Sequence, residues 1–274
     1  MIIFEKKFKY MIYYFSATGN SKFIAGKLAS KLNTKLCNIA DFVDFVKKKT
    51  TFDQDLENDD LLGIVCPVHS WGAAIAMEKF LKFVRFKNLK TDNAFCVLSC
   101  GDNCGNTDKQ IRKLLSLNKL SCDKIFSVQM PNTYIVMKGF GLDGAELQKE
   151  KISNAHAQID LISQSVISNN NYTHYVRGTK PGLKTGIVYP LFKVFATDDK
   201  KFFADQHCAG CGLCVKLCPQ KNITSDQDNK PVWNGDCLQC LACIHHCPEQ
   251  AIQFGTITQN QGRYFFKNDS GKSE

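Results

Sequence analysis

The chain has 274 residues, of which 44% are hydrophobic and 22% are charged. This balance excludes a disordered polar chain, and no apolar run approaches the roughly 18 residues that a membrane-spanning helix needs. The net charge of +9 is spread along the chain, and the lysine triplet at 47–49 has no interleaved aromatic residues, so we expect no nucleic-acid partner.

The first ten residues contain no continuous apolar segment followed by a small-residue cleavage site, so we expect a cytoplasmic protein. From Tyr10 onward, apolar runs alternate with helical patterns in five rounds, beginning with YMIYYF and SKFIAGKLASKL. Such alternation favours an α/β fold, a parallel sheet with helices on both faces. We assign this first domain to residues 1–170.

The loops after the first, third and fourth strands are the candidate site, because ligands bind beyond the carboxyl ends of strands in such sheets. The first of these loops, residues 16–21, reads SATGNS. It offers hydroxyl groups, a glycine that permits close approach of the backbone, and the amides of an opening helix, all of which suit a phosphate. It lacks the lysine of a nucleotide-hydrolysing loop, which favours a permanently bound monoester.

This loop resembles the phosphate loop of flavodoxins, and the other two loops extend the resemblance. The segment PVHSWGAA at 67–74 is similar to the flavodoxin segment that lays an aromatic ring against the flavin, and SCGDNCGN at 99–106 is similar to the loop around the polar edge of that ring. The resemblance implies a doubly wound sheet of strand order 2-1-3-4-5 and bound FMN. The cofactor-binding residues it implies are Ser16, Thr18, Gly19, Asn20, Ser21, Pro67, His69, Ser70, Trp71, Gly72, Cys100, Gly101, Asp102 and Asn103.

Several of these residues have alternative interpretations. Trp71 is the candidate for stacking on the flavin, with plain packing as the alternative. Flavodoxins commonly place a tyrosine in the third loop and this chain has none there, so the second face of the flavin would be covered by Tyr134 or Cys104, or left open. His69 would contact the polar edge of the flavin or be held by the backbone, and Cys100 and Cys104 would be a redox pair or buried thiols.

A competing motif, GFGLDG at 139–144, matches the GxGxxG pattern of dinucleotide sites. That pattern requires a following strand with an acidic residue about 20 positions further on. Asp160 lies instead within a helical pattern, so we do not assign a nicotinamide site.

Residues 171–202 are expected to link two domains and to pack on the first. A short helix is predicted near the end of this linker, where Phe192 and Phe195 would pack inward, with contact to a membrane surface as the alternative. Five residues predict that no long element forms in it: Gly178, Pro181, Gly182, Gly186 and Pro190.

Eight of the fourteen cysteines lie in a duplicated segment. CAGCGLCVKLCPQKNI at 208–223 recurs 29 positions later as CLQCLACIHHCPEQAI, and both follow CxxCxxCxxxCP. Three thiolates at this spacing can wrap one face of a cubane cluster while the fourth points to the other cluster. We therefore predict two [4Fe-4S] clusters, the first on Cys208, Cys211, Cys214 and Cys247 and the second on Cys237, Cys240, Cys243 and Cys218.

The alternatives for these cysteines are zinc, which prefers paired CxxC motifs, and disulfides, which need an oxidising compartment. Residues 203–256 resemble the bacterial two-cluster ferredoxins, which implies a small α+β domain, and residues 257–274 are left as a C-terminal tail. His207, His245 and His246 adjoin the cysteines, and we assign them no role.

The two resemblances together are those of the flavodoxin/ferredoxin fusion flavoproteins of anaerobic microbes. They imply electron transfer, with the chain as a low-potential two-to-one-electron carrier for redox partner proteins. One alternative is an FMN-dependent reductase of a quinone, nitro or azo compound, and another is redox sensing through Cys100 and Cys104. Whether the protein is an enzyme stays open, and the sequence does not predict its oligomeric state.

Overall fold

A computed structural model of the chain describes residues 10–56, 61–89 and 94–267. Residues 1–9 and 268–274, the outer ends of the predicted first domain and tail, lie outside the described residues. The strands are β1 (Tyr10–Tyr14), β2 (Lys35–Asn38), β3 (Phe52–Asp55), β4 (Leu61–His69), β5 (Gly72–Ala73), β6 (Val84–Lys87), β7 (Ala94–Cys100), β8 (Lys124–Gln129), β9 (Phe202–Ala204), β10 (Ile223–Ser225), β11 (Pro231–Trp233) and β12 (Ile252–Phe254). The α-helices are α1 (Asn20–Leu32), α2 (Val43–Lys47), α3 (Ile75–Phe83), α4 (Thr107–Ser116), α5 (Ala145–Ser168), α6 (Pro181–Leu183), α7 (Tyr189–Leu191), α8 (Leu213–Leu217) and α9 (Ala242–His246).

The central sheet is built from five parallel strands in the order β2-β1-β4-β7-β8. Numbered among themselves, these strands have the order 2-1-3-4-5, so the predicted doubly wound sheet is confirmed. The short β5 turns back antiparallel on the end of β4, and β3 pairs with β6 outside the central sheet.

Two hydrophobic cores lie on opposite faces of this sheet, because successive side chains of a strand point to opposite sides. On β4, Ile64 and Cys66 enter the core beneath α3 and α4, whereas Val65 enters the core beneath α1 and α5. Both faces are therefore covered, as the unbroken apolar strands predict.

The first part of the linker runs in an extended conformation beside β8. Ser127 donates its backbone N–H to the His174 carbonyl oxygen (2.8 Å), and Val176 donates its N–H to Ser127 Oγ (2.8 Å). Further along, the backbone N–H of Cys104 bonds the carbonyl oxygen of Val176 (2.8 Å). These bonds hold the linker against the sheet edge and the third loop.

The second part of the linker is helical from 181 to 196, where α6 and α7 alternate with π-helical turns at Lys184–Val188 and Phe192–Ala196. The prediction that no long element forms here is wrong. Pro181 is at the start of the helix, where its missing N–H costs nothing, and the π-helical turns on either side of α7 accommodate Pro190. Phe192 is buried as predicted, whereas Phe195 is 72% exposed, so its predicted packing is wrong.

The C-terminal region forms the small α+β unit that was predicted. Its two antiparallel pairs, β10 with β11 and β9 with β12, accompany the short helices α8 and α9. A compact core that includes Phe202, Ile244 and Phe254 joins these elements.

None of the helices within the described ranges is both long enough and apolar enough to cross a bilayer.

Gly63 of β4 provides a test of how tightly the sheet faces are packed. A Cβ atom there would lie 2.7 Å from the Phe95 ring and 2.8 Å from Ile12. We expect Gly63→Ala to lower the free energy of unfolding by about 1–3 kcal/mol. Gly26 of α1 has nothing within 4 Å of its Cβ position, so Gly26→Ala should raise that free energy by about 0.5–1 kcal/mol. Urea unfolding measures both changes. If the two substitutions change the free energy of unfolding in the same direction, the prediction is wrong.

Candidate functional site

A cleft opens at the carboxyl ends of β1, β4, β7 and β8, where a doubly wound sheet is expected to bind its ligand. Its volume is about 710 Å³, including the space at its open mouth. The residues of the first domain that line it are Ser16, Ala17, Thr18, Asn20, Ser21, Pro67, Val68, His69, Ser70, Ser99, Cys100, Gly101, Met130, Pro131, Asn132, Thr133 and Tyr134. The three predicted loops therefore meet at one place.

The phosphate loop, residues 16–21, is held by bonds among its own groups and to β7. Gly19 donates its N–H to Ser16 Oγ (3.2 Å), and Ser21 Oγ shares a hydrogen bond with Ser99 Oγ (2.7 Å). Gly19 has a φ of +93°, a conformation that glycine adopts without strain. Because α1 begins at Asn20, its first amides and the positive end of its dipole lie at the cleft, which fits the phosphate of FMN.

His69 contributes an unsatisfied polar atom to the cleft wall. Its Nδ1 atom is buried and has no hydrogen-bond partner among the described residues. Burial lowers the pKa of His69 to about 4, so the ring is neutral near pH 7. A buried polar atom without a partner costs about 1–3 kcal/mol, and a ligand with a polar edge would satisfy it. The wall therefore fits the heteroatom edge of a flavin.

The predicted stacking residue, Trp71, does not line the cleft. Ser70 and Trp71 form the tip of the tight β4–β5 hairpin, and both have positive φ, +48° and +61°. This backbone places the Trp71 ring beneath Lys184 Nζ, 5.0 Å from the ring centroid. Gly72 does not line the cleft either. It packs against the Tyr189 ring, which would lie 2.4 Å from a Cβ atom at this position.

Some residues of the third loop line the cleft, and others contact β8 and the linker. Cys100 and Gly101 line the cleft, whereas Asp102 and Asn103 do not. The carbonyl oxygen of Asp102 accepts a hydrogen bond from Gln129 (2.7 Å), and Asn103 Oδ1 accepts one from Lys184 (3.4 Å). These two residues brace the loop.

Buried cysteines lie behind the cleft. The pKa of the Cys104 thiol is raised well above its usual value by a hydrogen bond with Cys100 and by burial. Burial also raises the pKa of Cys66 to about 12. Cys104 and Cys66 are therefore protonated near pH 7 and poorly nucleophilic, so these environments give no support to a thiol sensor.

The cleft contains Tyr134, which the sequence offered as one cover for the second face of the flavin, and further residues that the sequence did not place there. Segment 130–134, Phe192 of the linker helix, and Gln239, Cys240 and Leu241 of the C-terminal unit all line it. Tyr134 does so as well, and its hydroxyl donates to Gln239 Oε1 (3.3 Å). The proline and polar residues after β8 gave a local signal for 130–134, whereas nothing near Gln239 in the sequence indicates that it meets the first domain.

The GxGxxG segment holds Asn132, a residue of the cleft wall, in place. The carboxylate of Asp143 accepts from Lys151 Nζ (2.7 Å) and from the backbone N–H of Asn132 (2.9 Å). Asp160 pairs with Lys31 on the surface (2.8 Å). The acidic residues are thus engaged in structural contacts, which gives no support to a nicotinamide site.

The eight cysteines of the repeat surround two separate cavities. Cys218, Cys237, Cys240 and Cys243, here called the inner set, line one cavity. Cys208, Cys211, Cys214 and Cys247, the outer set, line the other. Each set takes three cysteines from one repeat and one from the other, which is the grouping that the spacing predicts. That these cysteines ligate clusters stays a prediction.

The inner set adjoins the cleft directly. Cys240 and Leu241 line both the cleft and the cavity of the inner set, so the two spaces share a wall. Backbone N–H groups of Asn222 and Gln239 donate to the sulfurs of Cys218 (3.3 Å) and Cys237 (3.2 Å). Such bonds stabilise thiolate charge and influence the potential of a bound cluster.

The four sulfurs of each set surround a cavity, which fits a cubane cluster. Within the described residues no group of three or more histidine, cysteine or acidic side chains is placed to hold one metal ion, and all fourteen cysteines are free. Burial raises the pKa of Cys237 and of Cys240 to about 12. These sulfurs become thiolates when a metal compensates their charge, and four sulfurs around a cavity fit a cubane.

Two family models match the chain. A flavodoxin domain matches residues 11–137, and a 4Fe-4S dicluster domain matches residues 207–252. A search of curated proteins finds no match.

Solved structures resemble a little over half of the chain at low identity. A putative flavoprotein from Bacteroides eggerthii is 18% identical, covering 57% of this chain and 98% of its own, with a TM-score of 0.35. An FMN-dependent NADH-azoreductase from Bacillus anthracis is 9% identical, covering 60% and 100%, with a TM-score of 0.36. A flavodoxin from the domain Archaea is 13% identical, covering 58% and 99%, with a TM-score of 0.31. Likeness at this level carries no conclusion about function.

The grouping of cysteines can be tested by paired substitutions. We expect wild-type protein purified anaerobically to hold about eight iron atoms per chain, and each ligand variant about four. Cys214→Ser and Cys247→Ser should remove the same EPR signal, because both residues line the outer cavity. Cys218→Ser and Cys243→Ser should remove the other signal.

Cys37→Ser is the matched control, since Cys37 lines neither cavity and should leave both signals intact. If Cys247→Ser removes the same signal as Cys243→Ser, the grouping is wrong. Wild-type protein with about four iron atoms, or with one or two zinc ions, would contradict the two-cluster prediction.

The neutral His69 makes a pH dependence predictable. The pKa of His69 falls from an ordinary 6.5 to about 4 on folding. At a pH between these two pKa values, the unfolded chain therefore binds a proton at His69 more tightly than the folded chain does. Folding stability should therefore decrease as the pH falls from 6.5 to 5, and His69 should contribute about 1.5 kcal/mol of that loss. Urea unfolding at the two pH values should show a smaller loss in His69→Gln. An equal loss in both proteins would contradict the prediction.

Proposed function

We propose that this chain, which joins a flavodoxin domain to a 4Fe-4S dicluster domain, is a low-potential electron carrier in which FMN exchanges electrons with two [4Fe-4S] clusters. The wall that Cys240 and Leu241 share between the cleft and the inner cavity is the observation that carries the proposal. The proposed units are the flavodoxin-like domain at 1–170, the linker at 171–202, the ferredoxin-like domain at 203–256 and the tail at 257–274.

The order of the three sites supports a path through the molecule. The inner set borders the cleft, and Cys214 and Cys247 of the outer set pack against the same core as Cys237 and Cys243 of the inner set. Cys211 of the outer set is exposed. Electrons would therefore enter or leave at the outer set, and we propose that a redox partner protein docks there.

FMN accepts two electrons together and releases them singly, and each cluster carries one, so the pair converts between two- and one-electron steps. The chain contributes binding and tuning. Residues 16–21 and the start of α1 would hold the phosphate, and His69 would satisfy the polar edge of the ring through Nδ1. Tyr134, Phe192 and Leu241 supply apolar surface to the cleft wall.

The carrier is favoured over a small-molecule reductase by what occupies the cleft wall. Gln239, Cys240 and Leu241 come from the cluster-binding unit, and Phe192 comes from the linker helix. These residues occupy a side of the cleft from which a quinone, nitro or azo compound would otherwise approach the bound flavin.

Light-triggered reduction of the flavin tests the path. In wild-type protein we expect the electron to leave the flavin for a cluster in a fast phase whose rate is independent of protein concentration. Cys218→Ala, which disrupts the inner set, should abolish this phase, because the inner set adjoins the cleft. Cys208→Ala, the matched variant of the outer set, should retain it.

Two outcomes would overturn the proposal. The first is a fast phase that survives Cys218→Ala in protein shown by iron analysis to lack the inner cluster. The second is rapid multiple turnover of a quinone, nitro or azo compound by protein reduced through an external ferredoxin, without any further protein, which would favour the reductase.

A further inference from the structure

Residues 258–266, here called the strap, connect the cluster-binding unit to the phosphate loop. They follow β12 and end beside the start of α1. The sequence assigned no role to this tail, yet its contacts extend from one domain to the other.

The strap is anchored at its beginning to the cluster-binding unit. Thr258 is fully buried, and its Oγ1 accepts from the N–H of Phe254 (2.7 Å) while donating to Gln253 Oε1 (3.0 Å). Arg263 donates to the Ile252 carbonyl oxygen (3.0 Å) and to Gln253 Oε1 (3.0 Å). These bonds fix the strap to β12.

The middle of the strap is tied to the cleft through one buried imidazole. Tyr264 donates its backbone N–H to His245 Nδ1 (3.2 Å), and His245 Nε2 bonds the carbonyl oxygen of Thr133 (2.7 Å). Since Nδ1 accepts, the proton of the neutral ring lies on Nε2 and is donated to Thr133. Thr133 itself lines the cleft.

The end of the strap lies against the phosphate loop. Phe266 donates its backbone N–H to the Thr18 carbonyl oxygen (2.7 Å), and its ring stacks on Phe23 of α1 (centroids 4.4 Å apart). The Tyr264 hydroxyl donates to Asn20 Oδ1 (3.0 Å). A Cβ atom on Gly19 would lie 2.9 Å from Phe266 Cβ, so the missing side chain of this glycine makes room for the strap.

From these contacts we infer that the strap holds the phosphate loop in its binding conformation, with Phe266 and Tyr264 as positioning residues for the phosphate of FMN. Thr18 and Asn20 line the cleft while the strap bonds the same two residues. Fixing a loop in its bound conformation removes an ordering cost from binding. The inference rests on FMN occupying the cleft as proposed above, and it couples that binding to the docked position of the cluster unit.

Flavin titrations of the full-length protein, freed of flavin but retaining its clusters, test the inference. The strap acts through the phosphate loop, so Phe266→Ala should raise the Kd of FMN about 10-fold. The Kd of riboflavin, which has no phosphate, should stay unchanged. Tyr264→Phe removes one hydroxyl and should raise the Kd of FMN about 3-fold. Quenching of flavin fluorescence gives both constants.

Phe265→Ala is the matched control, because Phe265 belongs to the strap but stacks on His246 (4.7 Å) and not on the loop. It should leave the Kd of FMN unchanged. Both Phe266→Ala and Phe266→Leu keep the backbone N–H that bonds Thr18. Phe266→Leu also keeps most of the apolar volume against Phe23 and should therefore restore most of the affinity. Iron content should match that of wild type in all four variants.

Equal losses of FMN and riboflavin affinity in Phe266→Ala would overturn the inference, since they would indicate general loosening of the cleft. Wild-type FMN affinity in both Phe266→Ala and Tyr264→Phe would overturn it as well. The electron-carrier proposal can fail independently of this inference. If the variants show the expected FMN-specific losses but the wild-type protein shows no electron exchange between flavin and clusters, the carrier proposal is wrong and the inference about the strap is supported.

Discussion

The wall that Cys240 and Leu241 form between the cleft and the inner cavity is the contact on which the proposed electron path depends. Electrons pass between two centres when the path between them is short and fixed. A flexible tether between two folded domains would not hold such a wall in place. The remaining interdomain contacts therefore have one physical task, which is to keep the C-terminal unit against the open end of the sheet.

The linker helix performs part of this task, because its Tyr189 and Phe192 share one core with Leu238 of the C-terminal unit. The helix is in turn fixed to α3. Glu78 on α3 accepts from the Tyr189 hydroxyl (2.8 Å) and from Lys193 (3.1 Å), and Lys82 bonds the same carboxylate (2.8 Å). Burial alone would raise the pKa of Glu78, but hydrogen bonds from Lys82, Tyr189 and Lys193 outweigh it and hold the pKa below its usual range. A paired and hydrogen-bonded buried charge fixes geometry, because displacing the carboxylate from its partners would leave it uncompensated.

The strap performs the corresponding task from the side of the phosphate loop. It bonds β12 at one end and Thr18 at the other, so the docking of the two units and the shape of the loop are set together. The cleft is consequently a joint product of the first domain, the linker helix and the cluster-binding unit. The linker helix before the C-terminal unit and the strap after it both contact the first domain for this reason.

Alternating apolar and helical segments predicted the parallel sheet, the residues at 16–21 indicated a phosphate loop, and the cysteine spacing predicted the grouping around the two cavities, because each follows from local pattern. The strand order was implied by the resemblance to flavodoxins. Only the folded structure shows that Trp71 turns away from the cleft at a tight hairpin, that Gln239 meets Tyr134 at the cleft, and that Phe266 reaches Thr18. These contacts join residues far apart in the chain, and spacing along a sequence cannot encode where two separately folded surfaces meet. Local pattern specified the parts, and packing between them specified the site.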